Sequence, residues 1–182
     1  RPSFLRVMTM ADWRLQDDLL FGLRAAATLM TMTLCALIML GVAVPTLFLA
    51  RRFYREQIAA PFGRLTLALW GIQLELQQSQ PFPLTQTIYI SNHTSTIDMF
   101  VLLALGLPNT RFFLSGFLRK LLPLGLIGYL IGVFWTVDQK FPDKRTRIFE
   151  RADTILRRTG ESVYLSPEGE RNITGTIGHF NK

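Results

Sequence analysis

From Ala25 to Ala50 the chain carries no Asp, Glu, Lys, Arg or His, and this 26-residue run limits what the rest can fold into. At ~1.5 Å per residue a helix of that length reaches ~39 Å, more than the ~30 Å hydrocarbon layer of a bilayer. A buried core helix would also be free of charge, but core helices seldom run this long. A signal peptide fits less well, because the run is too long and no small-residue cleavage pattern follows it. The run therefore predicts membrane association, either as a span or as a helix that enters one leaflet and returns. Pro45 is expected to kink the helix near its end, which membrane helices tolerate. Arg51, Arg52 and Arg55 crowd one side of the run, while Arg24, Arg14 and Arg6 are spread along the other. By the positive-inside rule this leans toward a C-terminal domain on the cytosolic face.

Hydrophobic residues make up 49% of the 182 and charged residues 18%, which excludes intrinsic disorder and leaves enough chain for one domain with a real core. Twenty Lys and Arg against 13 Asp and Glu give a net charge of +7, spread over both halves and not gathered in a tail. A basic, apolar chain of this kind is expected to meet anionic lipid or a phosphorylated substrate, not nucleic acid. Cys35, the single cysteine, cannot form an internal disulfide. The chain starts at Arg1 without Met and stops at Lys182 in mid-pattern, so it is expected to be part of a longer protein.

Residues 63–78 are amphipathic, with Leu65, Leu69, Ile72 and Leu76 at helical spacing. They predict a helix that lies on the membrane surface with Trp70 at the interface or packs on the core. After the break Gln80-Pro81-Phe82-Pro83, short apolar strands alternate with helices: a strand at 87–90, a helix from Asp98 to Leu105 stopped by Gly106 and Pro108, and a strand at 111–114. The charge-free stretch 121–137 predicts a helix to about Gly132 and then a strand. Asp143 is expected to cap a helix to about Thr159 that Gly160 ends, with Ile148, Ala152, Ile155 and Leu156 on one side. A strand at 163–165 breaks at Ser166-Pro167. The fold expected is α/β, a mixed sheet flanked by helices with active groups at strand ends, preceded by an N-terminal membrane-binding helical segment. The division is 1–80 for the membrane-associated helical region and 81–182 for a C-terminally incomplete catalytic domain.

His93 follows a strand within Ser91-Asn92-His93-Thr94-Ser95, and Asp98 lies five positions later. On a regular helix that offset turns the side chains ~140° apart, so they can meet only if a loop precedes the helix, as a strand-to-helix junction provides. A carboxylate on Nδ1–H fixes the imidazole tautomer and raises its basicity, so that Nε2 can accept a proton from a hydroxyl. No Cys or suitably placed Ser stands beside it as a nucleophile, which suggests that a substrate hydroxyl attacks. The plainer alternative is a solvent-facing loop His with a capping Asp. A second cluster, Pro167-Glu168-Gly169-Glu170-Arg171, sets a carboxylate and a guanidinium on a tight turn. The planar fork of Arg suits a phosphate; the plainer alternative here is a solvated hairpin. His179 is read as a loop residue.

Asn92-His93-(four residues)-Asp98, followed by Pro167-Glu168-Gly169-x-Arg171 with Glu168 75 residues after His93, resembles the glycerolipid acyltransferase family. Its best-known members are the 1-acylglycerol-3-phosphate (lysophosphatidate) acyltransferases. The likeness covers roughly Ile88 to Lys182, and an N-terminal membrane-binding helical segment is also a trait of the family. The resemblance implies that His93, oriented by Asp98, deprotonates the free hydroxyl of a lysolipid. The alkoxide then attacks the thioester of acyl-CoA or acyl carrier protein. Asn92 falls in the first motif and is assigned with the substrate-binding residues; Glu168, Gly169 and Arg171 match the acceptor-binding block, with Arg171 on the phosphate. The family pattern includes no metal or organic cofactor. The apolar stretch 121–137 would line the groove for the acyl chain or be plain core.

Two positions depart from the pattern. The family's middle motif typically ends with Arg, often after Asp, where this chain has Asp138 and then Gln139; Lys140, Lys144 or Arg145 would have to replace that cation. Glu170 stands where a small polar residue is usual. Two rival readings follow: a non-catalytic relative serving as a structural or lipid-binding subunit of a membrane complex, and a hydrolase in which His93 activates water.

Overall fold

The computed structural model describes residues 10–91, 95 and 97–167. The charge-free run forms most of α1, Met10–Ala43, a single 34-residue helix. It ends two residues before Pro45, so the expected kink does not occur. Instead residues 44–49 turn the chain, with Leu47 and Phe48 at positive φ of 50° and 60°. Among the described residues, Asp17–Ala43 is the one helix long and apolar enough to cross a membrane, and only 22% of its most apolar stretch is buried.

The chain returns along α1 through α2 (Arg51–Phe53), a π-helical segment (Tyr54–Ala59) and α3 (Ala60–Leu69). Tyr54 is fully buried and its hydroxyl pairs with Thr46. At the far end the Trp70 indole N–H donates to Thr28 Oγ1 at 2.9 Å, and the ring meets Phe21 edge-on at 5.5 Å. The amphipathic helix expected to reach Gln78 stops at Leu69. Gly71 adopts φ +69°, a left-handed conformation that ends a helix, and residues 71–80 are exposed. The inward face also differs from the expected one: Leu65, Ile72 and Leu76 are exposed, while Ala60, Gly63, Thr66 and Leu67 are buried.

Gly63 explains the choice of face. A Cβ there would meet the Ala104 backbone nitrogen at 2.8 Å and the Phe100 carbonyl oxygen at 3.1 Å, so its missing side chain lets α3 lie against α4 (Asp98–Leu105). Gly63→Ala is expected to cost ~1–3 kcal/mol by overpacking, read as a fall of several degrees in the thermal midpoint by circular dichroism.

Beyond this hairpin the chain alternates strand and helix: β1 (Ile88–Ile90), α4, β2 (Thr110–Ser115), a 3-10 turn (Leu118–Lys120), α5 (Leu124–Ile131), β3 (Phe134–Thr136), α6 (Pro142–Thr159) and β4 (Ser162–Leu165). The α/β class is as expected, and the strands run in the order β1-β4-β2-β3. The sheet expected to be mixed is parallel at every pairing among the described residues. Each strand is followed by a helical crossover before the next, which is the connection that parallel strands require. The register sets Ile90 beside Leu165 and Phe112 beside Tyr164. Gly106, Gly132 and Gly160 close α4, α5 and α6 in the left-handed conformation.

Asp143 does not cap α6; Phe141 occupies that position without a side-chain bond, Pro142 is the first helical residue, and Asp143 lies in the first turn. The expected inner side holds, with Ala152 buried and Ile148, Ile155 and Leu156 half-buried. The core joins Cys35, Met39 and Ala43 of α1 and Tyr54 to Ile127 and Ile131 of α5 and to Phe112 and Tyr164 of the sheet.

Candidate active site

The C-terminal ends of the parallel strands form one edge of the sheet, where open α/β sheets bind their ligands. Two neighbouring strands, β1 and β4, lead there into the two motifs: Ile90 precedes Ser91-Asn92-His93, and Leu165 precedes Ser166-Pro167-Glu168. Asn92, His93, Glu168, Gly169 and Arg171 lie outside the described residues, as do Glu170 and His179. Asp98 is described. As expected of a strand-to-helix junction, it is the first residue of α4 and not part of a helix continuous with β1.

Asp98 shapes this junction directly. Its Oδ2 accepts the backbone N–H of Ser95 at 2.9 Å, while Ser95 Oγ accepts the N–H of Ile97 at 3.3 Å. These two bonds satisfy the backbone N–H groups of the turn that leads into α4. An anionic side chain in the first turn is also favoured by the helix dipole. The carboxylate thus stands fixed between β1 and α4.

Two side chains that the sequence reading did not single out for the site stand on its floor. Tyr164 of β4 and Ser91 just after β1 share a hydrogen bond of 2.6 Å between hydroxyls. Burial pushes the Tyr164 phenol above its usual range and the negative charge of Asp98 adds to this, while the Ser91 bond opposes it. Asp98 is therefore close enough to be felt by Tyr164. Only the register betrays these residues, since Tyr164 stands opposite Tyr89, two residues before Ser91. Ser166 Oγ, one step beyond β4, is buried with no hydrogen-bond partner among the described residues. Tyr164→Phe is expected to cost ~1 kcal/mol of stability with the fold intact, measured by chemical denaturation.

At the same edge, the loop after β3 carries the departure from the family pattern. Asp138, Gln139 and Lys140 are exposed. Lys140 pairs with Asp138 at 3.3 Å, and Lys144 lies 4.7 Å above the Phe141 ring. Arg145, the third candidate to replace the missing cation, is half-buried, and its Nε has no partner among the described residues.

Behind this edge, two shallow apolar crevices share Leu103, Leu124 and Ile127. One, about 320 Å³ including space open to solvent, runs from Met99 of α4 to Phe112 and Leu114 of the sheet. The other, about 330 Å³, reaches Thr31 and Cys35 of α1. Leu124, Ile127, Gly128 and Ile131 come from the stretch expected to line an acyl groove, and all four are buried. Among the described residues no three His, Cys, Asp or Glu side chains gather so as to hold a metal ion.

The opposite edge of the sheet carries the strongest buried electrostatics. Glu161, just before β4, takes Arg55 of the π-helical segment on Oε1 at 2.6 Å and Arg111 of β2 on Oε2 at 2.6 Å. Arg55 also donates to the Ile131 carbonyl at 2.9 Å, and Arg111 to that of Gly132 at 3.4 Å. Burial alone would raise the Glu161 carboxyl, but the two guanidiniums hold it below the usual range. This cluster joins the helical hairpin to the sheet and has no part in the candidate site.

Residues 73–182 match the protein family described as Acyltransferase. Over 135 residues the chain is 28% identical to the chloroplastic 1-acyl-sn-glycerol-3-phosphate acyltransferase LPAT1 of Arabidopsis thaliana, covering 72% of this chain and 36% of that one. It is 31% identical over 130 residues to the 1-acyl-sn-glycerol-3-phosphate acyltransferase beta of Homo sapiens, covering 66% and 44%. The chain thus spans under half the length of these relatives. Its fold resembles the crystal structure of the 1-acyl-sn-glycerophosphate acyltransferase PlsC from Thermotoga maritima. The TM-score is 0.59 at 20% identity, covering 87% of this chain and 68% of that one. The family match spans more than half the chain, and the described part of the matched segment holds the parallel sheet, with Asp98 just beyond the C-terminal end of β1, so this protein belongs to the acyltransferase family.

Proposed function

We propose that the protein is a membrane-bound O-acyltransferase that moves a fatty acyl group from a thioester donor, acyl-CoA or acyl carrier protein, to the free hydroxyl of a lysophospholipid. The acceptor named by its relatives, 1-acylglycerol-3-phosphate, is the first choice. The observation that carries the reading is the parallel pairing of β1 and β4, with Ile90 beside Leu165, because it starts both motif segments from adjacent strand ends. His93 then acts as the base: Nε2 takes the hydroxyl proton as the oxygen attacks the thioester carbonyl, the carbon–sulfur bond breaks, and the thiolate leaves with that proton. Asp98 serves as the positioning residue for His93, and its bond to Ser95 supports that part by holding the carboxylate still. Glu168, Gly169 and Arg171 hold the acceptor, with Arg171 on its phosphate and Asn92 beside the base. Arg145 is the best candidate for the cation absent at Gln139, since Lys140 and Lys144 are engaged elsewhere. A thioester is already activated, so base catalysis with oxyanion stabilisation suffices without a cofactor.

An insoluble acceptor requires work at the bilayer. The exposed apolar surface of α1, including Leu19, Leu20, Phe21, Leu23, Leu29 and Met30, supports a membrane anchor, and the crowding of Arg51, Arg52 and Arg55 after it favours a site on the cytosolic side. The test is mass spectrometry of lipids after incubating the membrane-reconstituted chain with 1-acylglycerol-3-phosphate and each donor. Phosphatidate should accumulate with release of the free thiol. Free fatty acid in its place would turn the reading to a hydrolase, and no turnover with either donor or a panel of lysolipids would turn it to a non-catalytic subunit.

A further inference from the structure

The loop between β2 and α5 exposes what a soluble surface would hide. Phe117 is 65% exposed, Leu122 78% and Leu121 42%, with the cations Arg119 and Lys120 between them. Neither cation makes an ion pair among the described residues. The loop is firmly built: Lys120 N–H donates to the Phe117 carbonyl at 3.1 Å, Leu121 to Leu118 at 3.2 Å, and Gly125 to Leu121 at 2.7 Å. The backbone of Arg119 lies so close over Gly125 that a Cβ there would collide with it. The apolar side chains are therefore presented by a fixed backbone.

Its position adds a second observation. The loop leaves the C-terminal end of β2, the edge at which β1 and β4 end, and Gly116 at its start donates to the Thr136 carbonyl at the end of β3. At its other end Leu124 shares a crevice with Thr31 and Cys35 of α1, the helix with the long apolar surface. The loop thus stands between the working edge and the anchor.

We propose that residues 117–122 form a second membrane-contact element that docks on a bilayer surface containing anionic phospholipid, with Phe117, Leu121 and Leu122 in the interface and Arg119 and Lys120 on lipid phosphates. The inference rests on the membrane reading of α1 given above. Charge complementarity selects the occupant: apolar side chains alone would suit a protein partner equally well, but two cations unpaired among the described residues match an anionic headgroup layer. The consequence for the reaction is that the strand ends are held against the plane from which a lysolipid acceptor enters.

The test uses the full chain reconstituted in phosphatidylcholine vesicles with or without phosphatidylglycerol. An environment-sensitive fluorophore is placed on Leu122→Cys, on Leu20→Cys in α1, or on Arg158→Cys at the opposite edge. The unsubstituted chain controls for labelling of the buried Cys35. Nitroxide-bearing lipids should quench the probes at 122 and 20 but not at 158, and quenching at 122 should require phosphatidylglycerol and weaken with salt. Adding Arg119→Gln and Lys120→Gln should lower the docked-to-free ratio of the loop roughly fivefold per cation removed, leaving the probe at 20 unchanged. A probe at 122 that stays unquenched while that at 20 is quenched overturns this proposal and leaves the membrane reading of α1 standing. No quenching at either position overturns both. Equal quenching without anionic lipid, or crosslinking of position 122 to a second copy or another protein, overturns the assignment to an anionic lipid surface.

Discussion

His93→Ala is expected to lower the rate of acyl transfer by about 100- to 10,000-fold, the usual contribution of a positioned general base, with no change in lipid binding. The size follows from the proposed chemistry. The thioester needs no activation, so most of the barrier lies in making an alcohol nucleophilic, and the sequence around His93 supplies no other base. Asp98→Asn gives a sharper version of the same experiment. An amide oxygen still accepts the Ser95 N–H, so the start of α4 survives, whereas the charge that would orient and stabilise a protonated imidazole is gone. The asparagine variant should therefore keep the thermal midpoint and lose most of kcat. Asp98→Ala should lose both, with ~1 kcal/mol of stability going with the lost bond to the Ser95 N–H. Steady-state kinetics beside thermal unfolding separates the two effects, and full transfer by His93→Ala would remove the base from the proposed mechanism.

Glu161→Ala is expected to be the most damaging change to stability, about 3–5 kcal/mol, because it leaves Arg55 and Arg111 buried without their shared counter-ion. Against the ~5–15 kcal/mol that holds a typical domain together, such a loss would leave the hairpin of α1 and α3 poorly fixed to the sheet. The loss should appear in denaturant unfolding of the detergent-solubilised chain. The pH dependence carries the same signature. Since the folded Glu161 carboxyl sits below its unfolded value of about 4.3, its contribution is complete above that value. It fades as pH falls through the lower folded value, when protonation removes the charge that the guanidiniums require. Glu161→Gln should be less stable at neutral pH, and its stability should fall less steeply below about pH 4. An unchanged acid profile would mean that the cluster does not couple to folding.

The contrast between these two experiments reflects how the chain divides its charges. Both edges of the sheet hold ionic groups, but at one they are closed upon themselves, while at the other Asp98 stands beside the strand end from which a motif segment starts. Arg55 and Glu161 lie 106 residues apart, in different regions of the sequence, and neither has a local pattern to mark it. Their pairing arises only because the π-helical segment brings Arg55 to the start of β4. Ser91 and Tyr164 were missed in the same way, being unremarkable residues made neighbours by strand register.

Elements whose limits depend on local chemistry were legible from the residues alone. Helix α4 has the bounds expected, since Gly106 can take the left-handed turn that ends it, and Gly132 and Gly160 stop α5 and α6 for the same reason. The misreadings arose where packing outranked local preference. Residues 63–78 have the periodicity of a helix with Leu65, Leu69, Ile72 and Leu76 inward, yet close contact with α4 selects the face of Gly63 and Leu67, and the helix ends early. Pro45 predicts a bend in a continuing helix, but α1 ends at Ala43 and Pro45 lies within the turn of residues 44–49 that folds the chain back on it.

The alternation of strands and helices, the long apolar helix and the family could all be read from residue order, because they follow from chemistry within a few positions or from motifs that recur as units. The parallel order β1-β4-β2-β3, the floor beneath the candidate site and the arginine–glutamate lock were settled only by the folded chain. Each depends on which distant segments become neighbours, and that is decided by the burial of apolar surface across the whole molecule, not by any short stretch of it.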